Sequence, residues 1–225
     1  MKNVFISWSG GKDSCYACLL AQQSGLNVTH FMNMMNEDGR WSFVHRFPSS
    51  VLEQQAEAAG VKLLRTPAGA DTYADDYTKA IEKMKADGIE GGVFGDIDLE
   101  GHREWVVNIC KRSGIEAFLP AWGMAQDTAL TNIIESGIEA VIVACNEKYF
   151  GEEWLGRKID SSFYAHLKEM QKTSDITTCG ETGEYHTLVV NAPLFSRRIS
   201  IETAEHRFHN GYWFLEIQKS TLVDK

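Results

Sequence analysis

Ser9-Gly10-Gly11-Lys12-Asp13-Ser14 gathers the groups that hold phosphate. Two adjacent glycines let a backbone turn sharply and come close to a ligand. Ser9 and Ser14 bring hydroxyl donors, and Lys12 brings a point charge. The helix-like segment that follows offers unpaired N–H groups and the positive end of a dipole, which suit an anion. The spacing is not that of the Walker loop, whose glycines stand four residues apart before Lys-Ser/Thr. The competing reading is a glycine-rich strand-to-helix turn with no ligand.

Three other clusters could do chemistry. In Gly95-Asp96-Ile97-Asp98, Asp96 could hold a ribose hydroxyl, a magnesium ion or a loop, and Asp98 is a candidate N-cap. Arg103, just beyond, could reach a phosphate or pair with Glu100. In Trp154-Leu155-Gly156-Arg157-Lys158, the two cations could neutralise a polyphosphate or form a solvated basic turn. Cys179-Gly180-Glu181-Thr182-Gly183-Glu184-Tyr185-His186-Thr187 packs two carboxylates and an imidazole into a few residues. Glu181 and Glu184 could bind an amine or a metal, or orient ammonia. His186 could relay a proton near neutral pH. A polar turn before a strand would explain the same residues.

The elements that must position these groups alternate. Strand-like runs fall at 2–8, 26–34, 61–65, 90–95 and 115–119, and helix-like stretches at 14–24, 49–59, 71–87 and 99–113. Ser49 or Ser50 could cap the second helix, with Glu53 completing a capping box. Gly25, Gly60, Gly88 and Gly114 follow the helices as C-terminal caps. Such alternation implies a parallel sheet covered by helices on both faces, with ligands bound beyond the carboxyl ends of its strands. Ser9–Ser14 and Gly95-Asp96 lie at such ends. After Trp122 the pattern changes. Helices are expected at 126–136 and 160–171, an apolar strand at 140–144, and further strands at 185–191, 199–207 and 211–218. The expected division is therefore residues 1–122 and a mixed α/β unit at 123–225.

The 225 residues carry a formal net charge of −9, which argues against a nucleic-acid footprint. No stretch approaches the roughly 20 apolar residues of a membrane helix, and the start lacks the apolar region of a signal peptide. A cytoplasmic protein is expected. The five cysteines are read as reduced thiols. Cys15-x-x-Cys18 lacks a second ligand pair, which favours packing on a helix face over metal or redox work.

The run Ser9–Ser14 resembles the PP-loop of ATP pyrophosphatases, which cleave ATP between the α- and β-phosphates. The wider set is more specific. Gly-Asp-Ile (95–97), Pro-Ala-Trp-Gly (120–123), Trp-Leu-Gly-Arg (154–157) with Asp160, Cys-Gly-Glu-x-Gly-Glu-Tyr (179–185) with Thr187, and Ala-Pro-Leu-Phe (192–195) together resemble the diphthine–ammonia ligase family. The resemblance spans nearly the whole chain. It implies a HUP-type ATP-binding domain and a family-specific second domain. It also implies a reaction in which ATP adenylates a carboxylate and ammonia then forms the amide. The family's carboxylate belongs to diphthine on elongation factor 2. By this resemblance Ser9, Gly10, Gly11, Lys12, Asp13 and Ser14 bind the triphosphate, and Asp13 helps to hold Mg2+. Gly95 and Asp96 border the nucleotide, with Arg103, Gly156 and Arg157 as further nucleotide contacts. Glu181, Glu184 and His186 join Lys12 and Asp13 at the reaction centre. One position departs from the pattern: many members carry an acidic residue where His186 stands. The expected partners are ATP, ammonia and elongation factor 2, with a homodimer as the assembly. Two other readings stay open at this point. One is a PP-loop enzyme acting on a different acceptor, such as a small carboxylate or a tRNA to be thiolated. The other is a nucleotide-binding module without catalysis.

Overall fold

The computed structural model describes residues 1–42 and 47–225. Strand β1 (Asn3–Ser7) leads through the glycine loop into α1 (Lys12–Gln23). β2 (Asn27–Met35), α2 (Ser49–Ala59), β3 (Lys62–Pro67), α3 (Tyr73–Ala86), β4 (Gly91–Val93), α4 (Glu100–Ser113) and β5 (Glu116–Phe118) follow. Their strands form one parallel sheet in the order β3-β2-β1-β4-β5. The chain reverses its winding at β1, so a crevice opens beyond the carboxyl ends of β1 and β4. α1 begins earlier than the apolar pattern suggests. Lys12 is its first residue and Gly11 its N-cap, so the loop's lysine stands on the helix.

Side chains on a strand alternate faces, and β1 uses both. Val4, Ile6 and Trp8 join the cores of α1 and α2, while Phe5 joins Tyr77, Phe94 and Cys110 under α3 and α4. A strand covered on both sides needs a continuous apolar run, which Val4-Phe5-Ile6 supplies.

The remaining elements are α5 (Gln126–Glu135), β6 (Glu139–Asn146), α6 (Ser161–Met170), β7 (Tyr185–Asn191), β8 (Arg198–His209) and β9 (Tyr212–Val223). β6 to β9 form an antiparallel sheet in the order β7-β6-β9-β8. The larger apolar cluster runs without a break from β1, α1 and α2 into β6 and β7. β7 edges this second sheet and meets the glycine loop. Val189 donates its N–H to the Gly10 carbonyl at 2.9 Å.

Two expected caps do not form. The N-cap of α2 is Pro48, whose carbonyl accepts from Val51 N–H at 3.1 Å, and Glu53 pairs with Arg65 instead. The N-cap of α4 is Leu99, because Asp98 accepts from the Gln126 amide at 2.6 Å. At the other ends, Gly60 and Gly114 close α2 and α4 in the left-handed conformation. Among the described residues no helix is long and apolar enough to cross a membrane.

Candidate functional site

The glycine loop closes on its own hydroxyls. Ser9 Oγ lies 3.0 Å from Ser14 Oγ and accepts the Gly11 N–H at 3.2 Å. Gly10 takes φ +84, and a Cβ on Gly11 would come within 2.9 Å of the Thr187 carbonyl oxygen. The paired glycines therefore bring the loop against β7 as well as turning it. Gly95 is packed as closely. A Cβ there would stand 2.9 Å from both Asp13 C and Ser14 N. The end of β4 is thus pressed onto the first turn of α1.

These elements bound a pocket of about 210 Å³ at the β1/β4 crevice. Ser9, Asp13 and Ser14 line it from the loop, Gly95 and Asp96 from the end of β4, and Glu181 from the turn before β7. Segments far apart in sequence thus share one cavity.

Lys12 does not line it. Its side chain is 2% exposed, and its ammonium donates to the Cys179 carbonyl at 2.6 Å and to Asp13 Oδ2 at 2.9 Å. The ammonium also lies 5.0 Å from the centre of the Tyr185 ring. Burial works against its charge, but the Asp13 carboxylate beside it, with Tyr185 and Cys179, holds its pKa above the ordinary lysine value. Its backbone N–H donates to Thr187 Oγ1 at 3.0 Å. In this structure Lys12 braces α1 against the second sheet. A side chain at the first helical position, beside a buried aromatic strand, has that direction open to it.

The two glutamates separate. Glu181 faces the pocket, and burial pushes its carboxyl up to about 8, with Asp13 adding to the shift and Lys12 opposing it. Glu184 is 1% exposed and accepts the N–H groups of Thr177 at 2.6 Å and Thr182 at 3.0 Å. Its carboxylate closes the turn that carries Glu181. His186 stands on β7 opposite Ala144. Burial and the Lys12 charge lower its pKa to about 4. Its imidazole is therefore uncharged at neutral pH. Asp96, whose pKa burial raises, lies 3.2 Å from His102 Nδ1.

Arg103, Gly156 and Arg157 are engaged elsewhere. Arg103 pairs with Glu100 at 2.8 Å and lies 5.2 Å from the Trp122 ring. Gly156 N–H donates to the Ile142 carbonyl at 2.8 Å, and Ile142 N–H to the Arg157 carbonyl at 2.9 Å, which lays this segment beside the middle of β6. The Arg157 guanidinium stacks 4.5 Å from Trp154 and donates to the Glu153 carbonyl.

Gln55 is a support that sequence reasoning missed. It is fully buried, accepts Trp8 Nε1–H at 2.7 Å, and donates to the Gly10 carbonyl at 3.0 Å and the Val189 carbonyl at 2.9 Å. A lone glutamine in an amphipathic helix carries no signal of such a role.

Asp13 Oδ1 is buried without a hydrogen-bond partner, while Oδ2 is held by Lys12. An unpartnered carboxylate oxygen beside a phosphate-type loop fits a hard cation. No group of three or more His, Cys, Asp or Glu among the described residues could hold a metal. One carboxylate with phosphate oxygens and water is how Mg2+ is usually held.

Known proteins match over both halves. Residues 1–117 match the diphthamide synthase N-terminal domain, and residues 125–223 the diphthamide synthase C-terminal domain. A protein from Rattus norvegicus named diphthine–ammonia ligase is 26% identical over 231 residues, covering 93% of this chain and 86% of its own length. One of the same name from Danio rerio is 26% identical over 249 residues, covering 96% and 95%. Another from Schizosaccharomyces pombe is 27% identical over 220 residues, which is 88% of this chain and 36% of that longer protein. A solved structure titled as a predicted subunit of tRNA methyltransferase from Methanocaldococcus jannaschii aligns at 17% identity and TM-score 0.47, covering 86% of this chain and 98% of that one. The two domain matches cover the glycine loop, the end of β4 and the Glu181 turn that meet at one pocket, and by them the chain belongs to the diphthamide synthase family.

Proposed function

We propose that the chain is an ATP-dependent amide ligase that adenylates a carboxylate and amidates it with ammonia, the acceptor being diphthine on elongation factor 2. The observation that carries this reading is the pocket shared by the Ser9–Ser14 loop and Glu181. A phosphate cradle and a carboxyl with a pKa near 8 then face the same reacting atoms. Family membership and the name of the relatives support the choice of acceptor.

The chemistry fits the parts. A carboxylate is a poor acyl donor, and adenylation supplies a leaving group. The acceptor oxygen attacks the α-phosphorus, the bond to the β-phosphate oxygen breaks, and pyrophosphate leaves. Ammonia then attacks the acyl carbon, the bond to AMP breaks, and a proton is lost. Backbone N–H groups at the start of α1, with the Ser9 and Ser14 hydroxyls, stabilise the phosphate charge. Asp13 Oδ1 would hold Mg2+, which when bound neutralises phosphate charge. Lys12 orients Asp13, and Glu181 accepts a hydrogen bond from ammonia and then its proton. In this reading residues 1–122 carry the nucleotide and 123–225 bring the nucleophile.

Thiol chemistry on tRNA fits less well. Burial pushes the Cys179 and Cys110 thiols up to about 12, far from a nucleophilic thiolate. The test is an AMP-release assay with and without ammonia, on elongation factor 2 lacking the final amide. Ammonia-dependent AMP and pyrophosphate are expected. ADP as the product would refute the reading.

A further inference from the structure

Gln126 opens α5 and touches both halves of the chain. Its Nε2 donates to Asp98 Oδ2 at 2.6 Å, and its Oε1 accepts the Cys179 N–H at 3.0 Å. Its carbonyl accepts from the Cys179 thiol at 3.3 Å. The next residue adds a second fastening, because Asp127 Oδ1 accepts from the Thr178 hydroxyl at 2.7 Å. Thr177 Oγ1 in turn accepts the Glu181 N–H at 3.0 Å. The start of α5 therefore grips the segment from which Glu181 projects.

The two ends of the Gln126 amide meet the two walls of the pocket. Asp98 stands two residues beyond Asp96, which lines the pocket from the end of β4. Cys179 stands two residues before Glu181, which lines it from the other half. An amide is suited to this place, since it donates at one end and accepts at the other. A leucine would fill the space and join neither wall. A glutamate would accept from Cys179 and repel Asp98. We infer that Gln126 is a positioning residue for the amidation step: its amide ties the Asp98 loop to Cys179 and so fixes how far Glu181 stands from the nucleotide wall. The inference rests on the amidation reading above, in which Glu181 meets ammonia. Adenylation draws on the Ser9–Ser14 loop, which Gln55 and Lys12 brace instead, so the two half-reactions should separate.

The test measures each half-reaction on the full chain, with elongation factor 2 lacking the final amide. Pyrophosphate exchange into ATP reports adenylation, and the ammonia dependence of AMP release reports amidation. Gln126→Leu should leave exchange within about twofold and raise the KM for ammonia by about tenfold or more, as a small displacement of a reacting group does. Asp98→Ala breaks the same tie at an exposed position and should act alike, which serves if Gln126→Leu fails to fold. Asp98→Asn removes the same charge near Glu181 but keeps an oxygen that accepts from Gln126, so it should keep the parent's KM. If Asp98→Asn is as impaired as Asp98→Ala, charge and not the tie is what matters, and the inference falls. Equal loss in both half-reactions also overturns it, because a general fault of folding gives that result. The two readings fail separately. Absence of ammonia-dependent AMP release in the parent refutes the ligase reading, whereas an active parent with an unchanged KM in Gln126→Leu and Asp98→Ala refutes the positioning role alone.

Discussion

The Lys12 ammonium reaches the backbone carbonyl of Cys179 at 2.6 Å, across 167 positions of sequence. Through this bond the first turn of α1 holds the base of the turn that presents Glu181. The same lysine holds Asp13 Oδ2, so one buried charge helps to set two of the carboxyl groups that line the pocket, Asp13 and Glu181.

Lys12→Met should therefore act first on stability. It leaves the Cys179 carbonyl without this donor and Asp13 without its cation. Losing one member of such a buried pair costs about 3 kcal/mol. Urea denaturation should show that loss. If the lysine instead touched phosphate, ATP affinity would fall with the urea midpoint unchanged, and that outcome would contradict the brace.

Gly95→Ala probes the contact between β4 and the loop. The added Cβ meets the Asp13–Ser14 peptide at 2.9 Å, and backbone cannot swing aside as a side chain does. The loop must shift, so ATP affinity should fall by at least about tenfold, or about 1.4 kcal/mol, with the far-ultraviolet spectrum kept. Calorimetric ATP titration of a folded variant checks this, and parent-like affinity would disprove it.

Legibility follows range. The strand–helix alternation is a local pattern, and every expected strand and helix has its counterpart in the fold. Val4-Phe5-Ile6 is readable because a strand buried on both faces must be apolar throughout. The pairing of Ser9–Ser14 with the 179–187 segment came through motif resemblance and not through spacing. Where each side chain points could not be read. Glu181 and Glu184 look equivalent in sequence, yet three residues decide which one faces the pocket and which closes the turn. Lys12 reads as a phosphate ligand until the position of Cys179 is known. Tyr73 and Tyr77 meet Trp105 between α3 and α4, two helices whose faces show no chemistry when read singly.

Gln55→Leu tests the support beneath the loop. The substitution keeps the volume but leaves Trp8 Nε1 without its acceptor and takes a donor from the carbonyls of Gly10 and Val189, Gly10 keeping the Val189 N–H. A buried polar group left unpaired costs about 1–3 kcal/mol, so a total of about 3 kcal/mol is expected after partial relaxation. Because Gly10 lies in the loop and Val189 on β7, hydrogen exchange of the Gly11 N–H held by Ser9 and of the Val189 N–H held by Gly10 should quicken together. Quickening at only one of them would argue against a shared brace.

Glu181 gives the pH dependence. Its carboxyl is near 8 in the fold and about 4.5 when ordinary. Between those values the folded chain keeps a proton that the unfolded chain has released, so stability falls as pH rises from about 4.5 to about 8. Glu181→Gln should remove that part of the slope. Urea midpoints at about pH 5 and about pH 8 should then fall less for the variant than for the parent, and equal falls would contradict the assignment. Catalysis should run the other way. The ionised carboxylate is the form that accepts the nucleophile's proton, so the rate should climb through about pH 8. Ammonia gains its free form over the same range and would mask the effect. Hydroxylamine is already unprotonated at neutral pH and separates the two. With hydroxylamine, the parent's rate should still rise through that range, while Glu181→Gln should be slower and flat.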